Sequence, residues 1–519
     1  MTTTCNAMNR RAFLKAATGT AAVAALGTTV IAQADEAAVE PAEILEADVV
    51  IAGAGASGLT AAVEAAENGA RVIVLEKAAR LGGSCQFAEG VFAAGSSIQK
   101  EMGIEGDPKS LLVAEYEFQN YKVNTKLWEQ VAFNSAENID WLIAHGVEFA
   151  TVAATGGEFA TWHVYAGDNH GMMLIDHLNA AAEELGVQIL FESPAVSVVM
   201  TDGVATGLLA SKADGSYLQV NAPSVILATG GFAGNNEMLE QYCNLDMNRV
   251  YFRGINDISG DGIRMAFEAG GLEPSNFTAC TIGTTVKGIP LTNHITVAGA
   301  MDPMQLWVNQ DTERFVSEDV AKHYTRATNC VLMQDEVYSF VDTTVLTKLQ
   351  TEGARFGAGA YVVPGTLLEH IFDDIEEALA DGNPDIYKAD TFEELAEQMG
   401  LDPAKLAQVV ATYNAACEAG VDEEYGKDPS SLVALTEPPF YGFRVIANLM
   451  NTMGGIRTDI DCRVISAERK PIEGLYAAGM ECNGYAGETY GISLPGSDQS
   501  IAIATGRVAG ARAAMRALA

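Results

Sequence analysis

The run Val49-Val50-Ile51-Ala52-Gly53-Ala54-Gly55-Ala56-Ser57-Gly58 constrains this chain more than any other. A β-branched segment stops at a glycine turn, and Ser57 to Asn68 continues with helical character until Gly69 ends it. In such a turn Gly53 bends the chain sharply, Gly55 lets backbone approach a pyrophosphate, and Gly58 lets helix pack on strand. Ala56 and Ser57 open the helix, where free N–H groups and the helix dipole favour phosphate. Arg71 to Glu76 reads as a second strand. Glu76 stands eighteen residues beyond Gly58, where an acid takes a ribose 2′-hydroxyl. The spacing predicts a βαβ unit that binds a dinucleotide.

The 519 residues suffice for two domains and a large core. Residues 109–145 read as helical, Val187 to Val199 and Val225 to Leu227 as strand, and Leu367 to Met399 and Pro403 to Gly420 as helix-rich. Tyr476 to Ala478 reads as a late strand and Gln499 to Ala519 as a closing helix.

The first residues are a separate object. Asn9 to Lys15 is basic with paired Arg10 and Arg11, Ala16 to Ile31 is apolar and Ala-rich, and Ala32-Gln33-Ala34 is a small-residue cleavage signature. Residues 1–34 resemble a twin-arginine (Tat) signal peptide, which predicts export of a folded protein to the periplasm or the outer face of the envelope. The sixteen apolar residues fall short of a bilayer span, and no later run is long enough. Residues 35–45 read as a linker.

Removing a leader that holds Arg10, Arg11 and Lys15 and no acid takes the net charge from −37 to −40. So negative a field repels nucleic acid and anionic lipid, and an anionic substrate would need local Arg or Lys. Cys85, Cys243, Cys280, Cys330, Cys417, Cys462 and Cys482 form no C-x-x-C, so the chain offers no local haem or cluster motif, no metal site is expected, and no disulfide framework is read.

Four further runs follow the glycine turn in order. They are Glu76-Lys77 leading to Leu81-Gly82-Gly83-Ser84, Ile226 to Phe232 (I-L-A-T-G-G-F), Ser259-Gly260-Asp261-Gly262, and Gly474 to Gly479 (G-L-Y-A-A-G). Over about residues 46–519 the chain resembles the fumarate reductase and succinate dehydrogenase flavoprotein superfamily. The likeness is to its exported branch, with fumarate and urocanate reductases, 3-ketosteroid dehydrogenases and a cardiac glycoside reductase. The resemblance implies an α/β fold: a Rossmann-like FAD-binding domain split into 46–287 and 452–519, with an inserted α+β capping domain, 288–451. Besides the turn and Glu76, it carries FAD contacts to Lys77, Gly82, Gly83, Ser84, Ala195, Val196, Ala228, Thr229, Gly230, Asp261, Gly479, Met480, Ser493 and Leu494. Relatives with covalent flavin have a His in a G-S-H-T run. Here the run is Gly83-Ser84-Cys85-Gln86, so FAD is expected to bind non-covalently.

The substrate motifs depart from the family. Its H-T-M-G-G reads Asn451-Thr452-Met453-Gly454-Gly455 here, a second His falls near Cys280, and the Arg that clamps a substrate carboxylate falls at Tyr490 or Ser493. A buried carboxylate needs a charge-assisted partner. The losses therefore argue against fumarate and for a neutral substrate. The family's proton-donating Arg follows an R-F-V-N-E run, matched by Arg314 to Glu318, which nominates Lys322, Tyr324 or Arg326. Tyr490 is a rival donor, as tyrosines serve in the ketosteroid dehydrogenases. Trp162-His163, His170 and His294 are further residues to locate.

The expected function is reduction of an activated C=C bond in a small enone, enoate or unsaturated lactone, with hydride from FAD. No second fingerprint for a nicotinamide cofactor is present, so electrons would come from an external donor such as a c-type cytochrome. The alternatives are a ketosteroid-type dehydrogenase, a carboxylate reductase, and a flavin electron-transfer subunit without a substrate.

Overall fold

Val49–Ala52 lies inside a six-stranded sheet whose order is Arg463–Ile465, Pro471–Ala477, Ser224–Leu227, Val49–Ala52, Val72–Leu75 and Gln188–Leu190. All neighbours are parallel except Arg463–Ile465. Val49–Ala52 and Val72–Leu75 are apolar at every position because both faces of the sheet are covered. Val50, Ala52, Ile73, Leu75, Val225 and Leu227 enter one core, while Val49, Ile51, Val72, Val74 and Ile226 enter another. This is the dinucleotide-type half of the mixed α/β fold.

The structure is a computed structural model that describes residues 40–154, 159–274, 276–359, 361–491 and 493–519. The leader, its cleavage signature and the start of the expected linker lie outside the described residues. Pro41 to Ala519 form one compact unit. The last linker residues are not irregular: Glu43–Glu46 is a strand, parallel to Tyr217–Asn221. It joins the hairpin that Tyr217–Asn221 makes with Val204–Ser211, beside Ala195–Thr201.

Helix Ala56–Glu67 leaves the glycine turn, and the last helix, Ser497–Ala517, packs along it. Their backbones nearly touch. A Cβ on Gly506 would stand 2.6 Å from the Ser57 carbonyl oxygen, and one on Gly510 would stand 2.4 Å from that of Ala61. The chain's two ends thereby meet over one face of the sheet.

A second large sheet is organised by one long strand, Phe440–Met453. Its first half pairs with Val337–Asp342 and Ile386–Ala389, and its second half with Val250–Phe252 and Thr278–Val286. The expected boundary at 287/288 therefore falls after two strands that already belong to this sheet.

Beside this sheet lies a buried ion network. Glu318 receives Arg314 at 2.9 Å and Lys427 at 3.2 Å, and Arg314 also binds Asp422 at 2.8 Å. Glu318 and Lys427 side chains are fully buried. Burial lowers the Lys427 ammonium, and Glu318 opposes that shift. Removing one partner leaves a buried charge uncompensated. Glu318→Gln is expected to cost about 3–5 kcal/mol of stability in urea unfolding, with no change in the residues around the glycine turn.

Candidate active site

One cavity runs from the glycine turn to the second sheet, and residues from Ala52 to Ala502 line it. At one end stand Gly53, Gly55, Ala56 and Ser57. Gly53 has φ +99°, and a Cβ there would meet the Ala228 carbonyl oxygen at 2.4 Å. A Cβ on Gly58 would stand 1.9 Å from the Gly53 oxygen, so Gly58 serves helix–turn packing and not the cavity lining. The helix starting at Ala56 has no side-chain cap, which leaves its first N–H groups for an anion. Gly82, Gly83 and Ser84 close over this turn from the opposite side. A bare helix N-terminus inside a glycine cradle fits the pyrophosphate of FAD.

Glu76 lines the same end and is held in place, one oxygen accepting from Ala54 N–H at 2.8 Å and the other from Ala78 N–H at 2.8 Å. Its remaining lone pairs suit a ribose hydroxyl. Lys77 binds Asp261 at 2.7 Å, and both line the cavity with Ala195, Ala228, Thr229, Gly230 and Met480. Behind them Glu481, which the sequence did not single out, accepts from the Thr229 hydroxyl at 2.7 Å. Burial pushes its carboxyl from 4.5 to about 8. Cys85 also lines the cavity; burial pushes its thiol up to about 12, so it stays protonated.

The other end is built from the second sheet and the closing helix. Cys280 pairs with Asn451 across the sheet, so two positions where the resemblance implies histidine are neighbours. Asn451, Met450, Ile282, Leu291, Tyr324 and Tyr490 line the cavity here. The Tyr324 hydroxyl donates to the Gly357 carbonyl at 2.9 Å and accepts from Gly359 N–H at 3.1 Å. Burial raises it to about 12. Tyr490 is buried and lies near Asp498, a cavity residue from the first turn of Ser497–Ala517. Burial pushes Asp498 to about 7, and Glu115 behind it also to about 7.

Several expected site residues lie elsewhere. Lys322 pairs with Asp319 at 2.6 Å, and Arg326 lies exposed over the Phe118 ring. Tyr324–Leu332 is a helix, and positions two apart do not share a face, so Tyr324 turns inward and Arg326 outward. Val196 points out of its strand, 40% exposed, because neighbours on a strand alternate and Ala195 takes the inner side. Ser493 donates to Glu115, Leu494 is buried in the core, and neither lines the cavity. Gly479 packs against Ser57. Among the histidines, His163 is locked between Ser96 at 2.7 Å and Thr161, and His294 lies near Asp374; neither lines the cavity. His170 stacks edge-on to Tyr361, while Trp162 is a lining residue. Arg253 was missed: it lines the cavity with its guanidinium 5.5 Å from the Tyr361 ring centre. Nothing local distinguishes Arg253 or Asp498 from surface charges.

Gly58→Ala should force the turn open and leave the purified protein with under about a tenth of the normal flavin absorbance per chain. Glu481 binds its proton more tightly folded than unfolded. It therefore contributes stability that is whole below its ordinary 4.5 and is lost as pH rises through about 8. The urea midpoint should fall across that window. Glu481→Gln should remove its share of the slope, leaving the share of Glu115 and Asp498, which titrate near 7.

Residues 48–491 match the family model described as FAD binding domain. The chain is 35% identical over 475 residues to the vinyl phenol reductase of Lactiplantibacillus plantarum, covering 90% of this chain and 96% of that one. It is 29% identical to a probable fumarate reductase of Shewanella frigidimarina, covering 91% of this chain and 75% of the relative. A solved structure of the open conformation of a flavocytochrome c3 fumarate reductase superposes with a TM-score of 0.70 at 26% identity, covering 92% of this chain and 79% of that one. The chain belongs to the FAD binding domain family and is an FAD-dependent oxidoreductase, in a family whose members include C=C reductases.

Proposed function

We propose that this protein is an exported reductase that saturates the activated C=C bond of a small, neutral, conjugated substrate, with electrons from an external donor. The observation that carries this reading is the far wall of the cavity. Asn451 lines it where the resemblance would put a histidine, and Tyr490, one of the two positions where it would put the carboxylate-clamping arginine, lines it too; the other, Ser493, does not. Likeness to a vinyl phenol reductase supports the neutral substrate, and likeness to cytochrome-named fumarate reductases supports a c-type cytochrome as donor. The twin-arginine leader supports export. Among the described residues no helix is long and apolar enough to cross a membrane.

When bound, FAD supplies a hydride to one alkene carbon. The chain supplies the rest. The bare helix start and the glycine turn hold the pyrophosphate, and Glu76 holds the ribose. Tyr324 gives a proton to the other alkene carbon. The oxygen left behind keeps the Gly359 N–H, which stabilises its charge, while burial, which holds the hydroxyl at about 12, favours its reprotonation for the next turnover. Ile282, Leu291 and Met450 exclude water around the reacting carbons.

Arg253 favours a second reading. Its guanidinium, on the cavity wall over the Tyr361 ring, can meet a single carboxylate, so an aromatic unsaturated monocarboxylate is the rival substrate.

Anaerobic reoxidation of the reduced holoprotein separates these readings. A vinyl phenol or a 3-keto-4-ene should reoxidise the flavin rapidly and fumarate should not. Rapid turnover of fumarate would sink the neutral reading, and cinnamate alone would select the Arg253 reading. Tyr324→Phe should lower kcat by about 10²–10⁴ while FAD content and KM hold.

A further inference from the structure

Arg253 stands on the cavity wall at the end built from the second sheet. It follows the strand Val250–Phe252, and its N–H donates to the Leu449 carbonyl at 2.9 Å, which sets it beside the lining residues Met450 and Asn451. Its side chain is half-buried, with the guanidinium 5.5 Å from the Tyr361 ring centre. The Tyr361 N–H donates to the Ala358 carbonyl at 3.1 Å and so closes a short turn. Within that turn the Gly359 N–H reaches the Tyr324 hydroxyl at 3.1 Å, and Ala358 and Gly359 line the cavity. One turn therefore ties Arg253 to the proposed proton donor.

The Arg253 charge has no counter-ion. Among the described residues its guanidinium makes no ion pair and no side-chain hydrogen bond, in a chain with 68 Asp and Glu against 31 Lys and Arg. The other lining cations differ. Lys77 pairs with Asp261 at 2.7 Å, and Arg80 is exposed in the run that leads to Gly82 at the nucleotide end. Stacking on an aromatic face orients a planar guanidinium without using its five N–H donors. Those donors remain for an oxygen that carries negative charge.

We propose that Arg253 is a catalytic residue: it stabilises the oxygen on which negative charge collects when a C=C bond conjugated with a carbonyl or a phenol is reduced. This rests on the reading of the cavity as a C=C reduction site. For an enone, hydride from reduced FAD adds to the alkene carbon remote from the carbonyl, and the π pair moves onto the carbonyl oxygen as an enolate. Protonation of the nearer carbon by Tyr324 returns that pair to carbon and restores the carbonyl, and water reprotonates the tyrosinate. A fixed cation without a counter-ion acts where the charge develops. For a phenol, the same cation favours the phenolate. The substrate class is then a conjugated carbonyl or a vinyl phenol, and no carboxylate is required.

The test pairs binding with turnover. 4-Cyanophenol and 4-ethylphenol have no alkene to reduce, and their binding to the oxidised holoprotein is followed by the flavin absorbance change. At about pH 7.5 the nitrile leaves much of 4-cyanophenol ionised, whereas 4-ethylphenol, like tyrosine with its pKa of about 10, is neutral. A site that takes the phenolate should bind 4-cyanophenol at least about 30-fold tighter. Arg253→Met should bring the two within about threefold, and Arg253→Lys, which keeps the charge, should retain a preference of about tenfold. For the conjugated substrate that reoxidises the flavin fastest, Arg253→Met should lower kcat by about 10²–10³ while KM moves less than about threefold, because the charge develops only in the transition state. Equal binding of the two phenols by wild type, an undiminished preference or kcat in Arg253→Met with full FAD content, or tighter binding of 3-phenylpropanoate than of 4-cyanophenol overturns the proposal, the last in favour of a carboxylate. Phenolate selection that is lost in Arg253→Met, without reoxidation by any alkene, would support the oxyanion site and count against the proposed reaction instead.

Discussion

The rest of the structure depends on the contact between the first helix and the last. Gly506 and Gly510 let Ser497–Ala517 lie against the backbone of Ala56–Glu67, at distances that no side chain would allow. Arg507 and Glu64 add an ion pair at 2.9 Å along the same seam. The Gly479 N–H donates to Thr505 at 2.8 Å, which ties the last parallel strand to the closing helix. One seam therefore sets both ends of the cavity. It fixes the glycine turn, whose bare N–H groups suit phosphate, and it presents Asp498 from the N-terminus of the other helix.

Electrostatics divides the molecule. Outside, an excess of carboxylates gives a net charge of −37 over the whole chain. Inside the cavity region the acids Glu115, Glu481 and Asp498 are pushed by burial to about 7, 8 and 7, close to the neutral form. Beside the second sheet Arg314, Glu318, Asp422 and Lys427 are instead joined in one buried ion-pair network.

The nucleotide half was legible in the sequence because its chemistry is local. Gly53, Gly55, Gly58 and Glu76 lie within one βαβ unit, where a fixed turn geometry demands glycine and an adjacent strand end demands an acid. The substrate half was legible only in what it lacked. Asn451, Cys280 and Tyr490 could be read as departures, but not as neighbours. Lys322 and Arg326 show the limit of reading by alignment, since a helix beginning at Tyr324 turns one candidate inward and another out to solvent.

By itself the sequence determined a dinucleotide-binding α/β chain of this flavoprotein family, because strand, glycine turn, helix and acid interact within a few tens of residues. Tertiary structure alone decided which side chains line the cavity. The strand Phe440–Met453 brings Asn451 beside Cys280, and the closing helix brings Asp498 to Tyr490 and Glu115. Two of those contacts join residues far apart in the chain, 171 positions for Cys280 and Asn451 and 383 for Glu115 and Asp498. Only the packing of the two sheets and the paired helices, and no local propensity, fixes them.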